Sequence, residues 1–381
     1  MINKNNNKKF NIVSIDEATQ LLKEGYYAMD PHCHSSYSYD VPDVKQTSPE
    51  TIIKVLKSKK LMPVITDHDN INAYNYLKKK NNKILPAVEL TFKPQIARKI
   101  ISPKSIQTLH INIYRLNNND LIILKEIAKK GDLDELVRYL KQNDLEWTYN
   151  HPFYHEKRER LNWRAIPDLA KNYFEVLELN GSYSRGLNDI IQKLALKLDK
   201  GIVASSDSHT GNPGRGFIVT EGKNFRDFWN NVKDKKAYIV RKDMGTWDIV
   251  REASLIFNQA FHARIKPRLG RKYTPATEVE SIDNIIKSVT SGKFKNSFVT
   301  KKAIYMTLQS LNYTAGPILA WKLHVNKNET SAEKIRGKMF LFTNKIKELK
   351  KNIGKEKIKQ HKNKYYGQNI IKQSPNKSQY N

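Results

Sequence analysis

The chain has 381 residues, 39% of them apolar, with 67 Lys and Arg against 38 Asp and Glu, for a formal net charge of +29. That length fits two domains, or one large barrel with an extension, and the apolar content can supply a real core. No apolar run approaches the roughly 18 residues of a membrane span, no apolar segment follows the charged start as in a signal peptide, and the single cysteine, Cys33, rules out an internal disulfide framework, so a cytoplasmic protein is expected.

Residues 1–9 are polar and of low complexity, and read as a disordered start. From residue 10 onward, short apolar segments alternate with helical patterns. Seven segments read as strands: 26–30, 62–66, 84–89, 109–114, 146–150, 174–179 and 201–205. A helix is expected to start at Ser48-Pro49-Glu50, a capping residue followed by proline in the first turn, another after Asp120, and a third over 187–198. Repeated strand–helix–strand order predicts an α/β fold with a parallel sheet, and seven such units would close into a barrel one strand short of the eight-stranded form. Further strands are expected over 216–220 and 237–240, while 245–300 shows no clear pattern. Helices are expected over 308–323 and 335–353, followed by a polar, basic tail over 354–381.

The charge is uneven. Residues 241–381 hold 29 basic and 10 acidic side chains, and residues 1–240 hold 38 and 28. A basic C-terminal third, with Tyr305, Tyr313, Trp321, Tyr365 and Tyr366 among its lysines, suits an anionic partner, DNA or RNA first. A proteome-wide preference for Lys, Asn and Ile would raise the charge equally without a partner.

Polar side chains of one kind gather at the C-terminal ends of the expected strands, where barrel enzymes carry their active sites. In Asp30-Pro31-His32-Cys33-His34, residues two apart share a face of an extended chain, so His32 and His34 can grip one ion while Cys33 points into the core. Thr66-Asp67-His68-Asp69 follows the next strand, and Glu89 closes Ile84-Leu85-Pro86-Ala87-Val88. His110 lies in Thr108-Leu109-His110-Ile111-Asn112, and His151 in Asn150-His151-Pro152. In Ser205-Ser206-Asp207-Ser208-His209, Asp207 and His209 again share a face. Any one of these reads as a cap or a packed polar residue; six strand ends with an imidazole or carboxylate each do not. The phosphate-binding loop GxxxxGK[ST], the nucleophile elbow GxSxG, a strand-following GxGxxG and any CxxC pair are absent from the sequence.

In order, these motifs match DxHxH, TDH, a lone Glu, a His, a His-Pro and SDxH, and over residues 25–245 the chain resembles the PHP (polymerase and histidinol phosphatase) family of metal-dependent phosphoesterases. Asp40, six residues after His34, fits an acidic ligand that some members replace with His. The resemblance implies a distorted seven-stranded barrel holding two to three divalent ions (Zn, Mn or Fe). It implies one ion on His32, His34, Glu89 and Asp207, a second on Glu89, His110 and His151, and a third on Asp40, His68 and His209. Asp67 would orient the ligands. The implied chemistry is hydrolysis of a phosphate ester by a metal-activated hydroxide, with metals clamping the attacking and leaving oxygens. Arg185, after Glu178-Leu179-Asn180-Gly181, is a candidate phosphate ligand because guanidinium binds phosphate through paired hydrogen bonds, and Arg215 is the second choice.

The expected organisation is a disordered start over 1–9, a metallophosphoesterase domain over 10–245, a basic and mainly helical extension over 246–353, and a basic disordered tail over 354–381. The substrate is expected to be a phosphorylated small molecule or nucleotide, or a nucleic-acid end. The rival reading is a catalytically silent module that binds nucleic acid or serves structure. A barrel hydrolase acting on C–N bonds would carry a metal-bridging lysine, for which no strand end offers a candidate.

Overall fold

The computed structural model describes residues 9–95, 107–156, 159, 161–222 and 224–265. The helices expected over 308–323 and 335–353, the basic tail and the first eight residues lie outside the described residues.

The described chain runs β1 (Asn11–Ile12), α1 (Ile15–Lys23), β2 (Tyr27–Met29), α2 (Pro49–Ser58), β3 (Val64–Ile65), α3 (Asn72–Lys79), β4 (Leu85–Phe92) and β5 (Leu109–Tyr114). It continues through α4 (Asn118–Lys130), α5 (Leu133–Gln142), β6 (Glu146–Tyr149), α6 (Ala165–Tyr173), β7 (Val176–Asn180), α7 (Arg185–Leu198) and β8 (Gly201–Ser205). The last described elements are β9 (Phe217–Thr220), α8 (Phe225–Lys233), β10 (Tyr238–Val240) and α9 (Thr246–Ile265). None of the described helices is long and apolar enough to cross a membrane.

Local chemistry sets the helix starts. Ser48 caps α2 through the Thr51 amide, and Pro49 takes the first turn, where its missing N–H costs nothing. Ser14 and Glu17 form a reciprocal capping box on α1. The helix expected after Asp120 starts earlier: Asn117 is its cap, and the Asp120 carboxylate accepts from the Asn117 amide.

The strands form a mixed fold in two sheets, one ordered β1-β10-β9-β2 and the other β3-β4-β5-β6-β7-β8. The all-parallel sheet expected from the alternation is corrected here. The β3–β4, β6–β7 and β7–β8 pairs are parallel, but β4–β5 and β5–β6 are antiparallel. For β5 and β6 the reason lies in the connection. One crossover helix returns the chain to the same sheet end and gives a parallel pair. Here two helices intervene, so the chain arrives at the opposite end. The break between them is Gly131, which ends α4 with a left-handed φ of 67°, followed at once by Asp132 as the cap of α5. A Cβ at Gly131 would also meet the Lys93 carbonyl and the Gln95 amide at 2.6 Å.

The segment after β2 reaches both edges of the six-stranded sheet. On the β3 side, Met62 N donates to Ala28 O at 2.7 Å and Thr66 N to Cys33 O at 2.9 Å. Beyond β8, Asp207 N donates to His32 O at 2.8 Å and His34 N to Ser208 O at 3.1 Å. Residues 30–34 therefore sit between the first and last strands of a curled sheet, which is how DxHxH and SDxH meet although 173 positions separate His34 from Asp207 in numbering. Cys33 points away from this line, into an apolar cluster with Ile52, Leu56, Ile65 and Leu77, and its thiol meets Val64 O.

Candidate metal centre

Strand alternation and the short turns after each strand turn the polar side chains to one place. His32, His34 and Glu89 are fully buried, and Asp40, His68, His110 and His151 nearly so. All nine candidate ligands converge.

Glu89, on β4, is the hub. Its Oε2 lies 3.1, 3.2 and 3.4 Å from Nε2 of His32, His34 and His68. Its Oε1 lies 3.1 Å from His151 Nε2 and 3.4 Å from His110 Nδ1. Asp207 Oδ1 lies 3.3 Å from Nε2 of both His32 and His34. Asp40 Oδ2 lies 2.8 Å from His209 Nε2 and 3.2 Å from His68 Nε2. Four groups have donor atoms close enough to share an ion: His34, Asp40, His68 and His209; His32, His34 and Glu89; His68, Glu89 and His110; and His32, His151 and Glu178.

The expected ligands lie together, but these groups differ from the expected sets: Asp207 is in none of the four, and His151 is grouped with His32 and Glu178 rather than with Glu89 and His110. His34 joins Asp40, His68 and His209, and His68 also faces Glu89. The donor set fits cations. Glu89 Oε2 and Asp207 Oδ1 are buried without a hydrogen-bond partner, yet each is surrounded by imidazole nitrogens. His32 Nε2 and His34 Nε2 lie 3.0 Å apart, both turned to the same point. Burial works against a charged imidazole at His32, but Glu89, Asp207 and Glu178 outweigh it and hold the ring well above its usual range. At His209 burial is likewise outweighed, by Asp40 and Asp207, and the value rises to about 9. At His110 burial prevails and the value falls to about 4. These carboxylates make a field that draws positive charge to the ring nitrogens. Imidazole and carboxylate without thiolate suit Zn, Mn or Fe.

Two residues here have left-handed backbones, His151 at φ 21° and Asp207 at φ 46°. Such positions cost on the order of 1–3 kcal/mol each, persist where surroundings over-determine them, and cluster at functional sites.

Glu178, on β7, was missed in the sequence. Its Oε1 lies 2.6 Å from His32 Nδ1 and accepts from Ser205 Oγ at 2.6 Å. Its Oε2 accepts from His151 N at 2.6 Å and Asn180 Nδ2 at 3.1 Å. Four donors fill a carboxylate's lone-pair sites. Glu178 therefore orients His32 and His151 rather than presenting a free oxygen. Two asparagines act alike: Asn150 Nδ2 donates to Glu89 Oε1 at 2.8 Å and Asn180 Nδ2 to Asp207 Oδ2 at 3.0 Å. The available signal was a Glu and an Asn two apart, on one face of the otherwise apolar Val176-Leu177-Glu178-Leu179-Asn180.

Asp67 does not face the ligands. Its carboxylate accepts from Ser35 N at 2.7 Å and Ser35 Oγ at 2.8 Å, which pins the backbone beside His34. Burial pushes its carboxyl up to about 6. Arg185 is exposed at the start of α7, its carbonyl held by Arg241 at 2.9 Å. Arg215 is committed to Glu252 at 2.7 Å and to Ser206 O at 3.4 Å. At the rim, the half-exposed Tyr39 stacks on His68 and Tyr154 leans on His110, with ring centroids 4.9 and 4.6 Å apart.

No family model matches the chain, and no curated protein does. Among solved structures it is similar to the lesion-specific endonuclease PfuEndoQ of Pyrococcus furiosus, at 13% identity over 76% of this chain and 90% of that one, with a TM-score of 0.40. It is similar to a protein of Bifidobacterium adolescentis described as a candidate metal-dependent phosphoesterase, at 12% identity over 54% and 94%, with a TM-score of 0.34. It is also similar to an amidohydrolase from Chromobacterium violaceum, at 13% identity over 55% and 96%, with a TM-score of 0.35. At such identities and scores these likenesses carry no weight for function.

Proposed function

We propose that this chain hydrolyses phosphate esters at a multinuclear centre of two to three divalent ions. The observation that supports this best is Glu89, one buried carboxylate whose two oxygens face two different sets of imidazoles. A carboxylate so placed would offer one oxygen to each of two neighbouring ions. Such ions supply an activated water at neutral pH and a clamp for the oxygens of an in-line phosphoryl displacement.

The protein's part is to hold the donors and exclude alternatives. His32, His34, Glu89 and Asp207 form the first ligand set, Glu89 with His110 and His151 the second, and Asp40, His68 and His209, joined by His34, the third. Glu178 fixes the ring of His32 so that Nε2 faces Glu89 and Asp207. Asn150 and Asn180 each hold one carboxylate of the centre in place. Arg185, exposed at the start of α7, is the proposed phosphate ligand. The substrate is a phosphomonoester or nucleotide, or a nucleic-acid end, and the basic C-terminal region, residues 246–381, is the proposed handle for a nucleic-acid backbone.

The test is a side-by-side rate on a chromogenic phosphate monoester and diester with manganese-loaded protein, and with Asp207→Ala as control. Hydrolysis of either ester that the substitution abolishes supports the reading. A dominant monoester rate would point to a small-molecule or nucleotide phosphatase, and a dominant diester rate to a nuclease or cyclic-nucleotide esterase. No hydrolysis of either ester, or equal rates in the variant, would sink it.

A further inference from the structure

The loop 206–215 carries two candidate ligands and is anchored differently at its two ends. Its beginning is tied to the sheet. Ser206 N and Oγ donate to Asp30, Asp207 N donates to His32 O, and Ser208 bridges to Cys33. Its continuation is held by Gly214 N, which donates to Asp30 at 2.6 Å, by Lys59, which donates to Pro213 O at 2.5 Å, and by α9, a helix that lies beyond every motif in the sequence.

Two residues of α9 make that tie. Glu252 Oε2 accepts from Thr210 Oγ1 at 2.7 Å, and Glu252 Oε1 pairs with Arg215 at 2.7 Å. Arg215 in turn reaches Ser206 O at 3.4 Å. Gln259, buried and two helical turns further on, donates to Thr210 O at 2.9 Å. Glu252 and Gln259, seven residues apart, lie on the same face of α9, and both bond to the loop. The Glu252–Arg215 pair is largely shielded, with side chains 13% and 15% exposed. A shielded bond of this kind is not screened away as a surface pair would be.

We propose that Glu252 is a positioning residue for the metal centre: by holding Thr210 and Arg215 together it fixes the stretch that presents His209, and secondarily Asp207. The proposal rests on the reading of those two side chains as ligands. Asp207 has the sheet-side anchors in addition, so the group of His34, Asp40, His68 and His209 depends on the clamp most. It follows that the catalytic unit extends past residue 245 and includes α9.

The experiment uses the full chain as wild type, Glu252→Gln and Glu252→Ala. Amide hydrogen exchange is followed over 206–215, and manganese binding is titrated alongside. Glu252→Ala is expected to speed exchange at 209–212 about tenfold. It is also expected to weaken one class of manganese sites roughly tenfold and leave the others as they were. Glu252→Gln, which keeps an acceptor for Thr210 but drops the charge on Arg215, should fall between. If Glu252→Ala does not fold, Gln259→Ala carries the same two readouts. Unchanged exchange would overturn the clamp, and so would faster exchange with every manganese class intact. A wild type that takes up no manganese would overturn the metal reading itself, an outcome separate from a variant that binds as the wild type does.

Discussion

Glu178 Oε1 lies 2.6 Å from Nδ1 of His32, and that contact decides which nitrogen of the ring is turned to the centre. With Nδ1–H donated to the carboxylate, Nε2 keeps its lone pair for an ion among Glu89, Asp207 and His34. Glu178→Ala should weaken metal binding by roughly 10–100-fold. Glu178→Gln should sit between, since its Oε1 can still accept from His32 while its amide faces the His151 N–H. Isothermal titration with manganese checks both, and binding unaltered in Glu178→Ala would remove Glu178 from the centre.

Metal removal should cost stability, because it leaves several buried imidazoles and carboxylates facing one another without a cation. Manganese at about 100 times its dissociation constant should stabilise the fold by about 2.7 kcal/mol per independent site. The midpoint of thermal unfolding should therefore climb with manganese concentration and fall with a chelator. Asp207→Ala should flatten that dependence. A midpoint indifferent to manganese would count against resident ions.

Asp67 makes the metal-free protein sensitive to pH. Its carboxyl is pushed by burial from an ordinary 3.8 up to about 6. The folded state therefore holds a proton that the unfolded state has released, and stability falls as pH rises from about 4 to about 6. The gap corresponds to about 3 kcal/mol of lost stability above that window. Asp67→Asn should remove this fall, so that wild type and variant differ in slope between pH 4 and 6 in chelator-treated samples. Parallel stability curves would show that Asp67 is ionised throughout.

The candidate ligands could be named from the sequence through their conjunction, each alone being an ordinary polar residue. His32 with His34, and Asp207 with His209, are residues two apart at strand ends, Glu89 lies within an apolar strand, and His151 follows one. Glu178 escaped for the opposite reason. Apart from Asn180, two residues on, its partners His32, His151 and Ser205 come from three other parts of the chain, and the sequence around Glu178 does not announce them. The antiparallel turn at β5 and β6 escaped because α4 and α5 read as one helical stretch, although Gly131-Asp132 marks a stop and a new cap. Helix α9 carries no motif, and its Glu252 and Gln259 contacts with the loop after β8 tie it to the site.

The most direct measurement is the manganese content of the purified full chain beside that of Glu89→Gln, by elemental analysis after gel filtration. The account predicts roughly two or three ions per chain in the wild type. In Glu89→Gln it predicts about one, retained by His34, Asp40, His68 and His209; the other group without Glu89 contains Glu178, whose oxygens already accept from other donors. A wild type with no bound manganese, or a variant with the full complement, would contradict it.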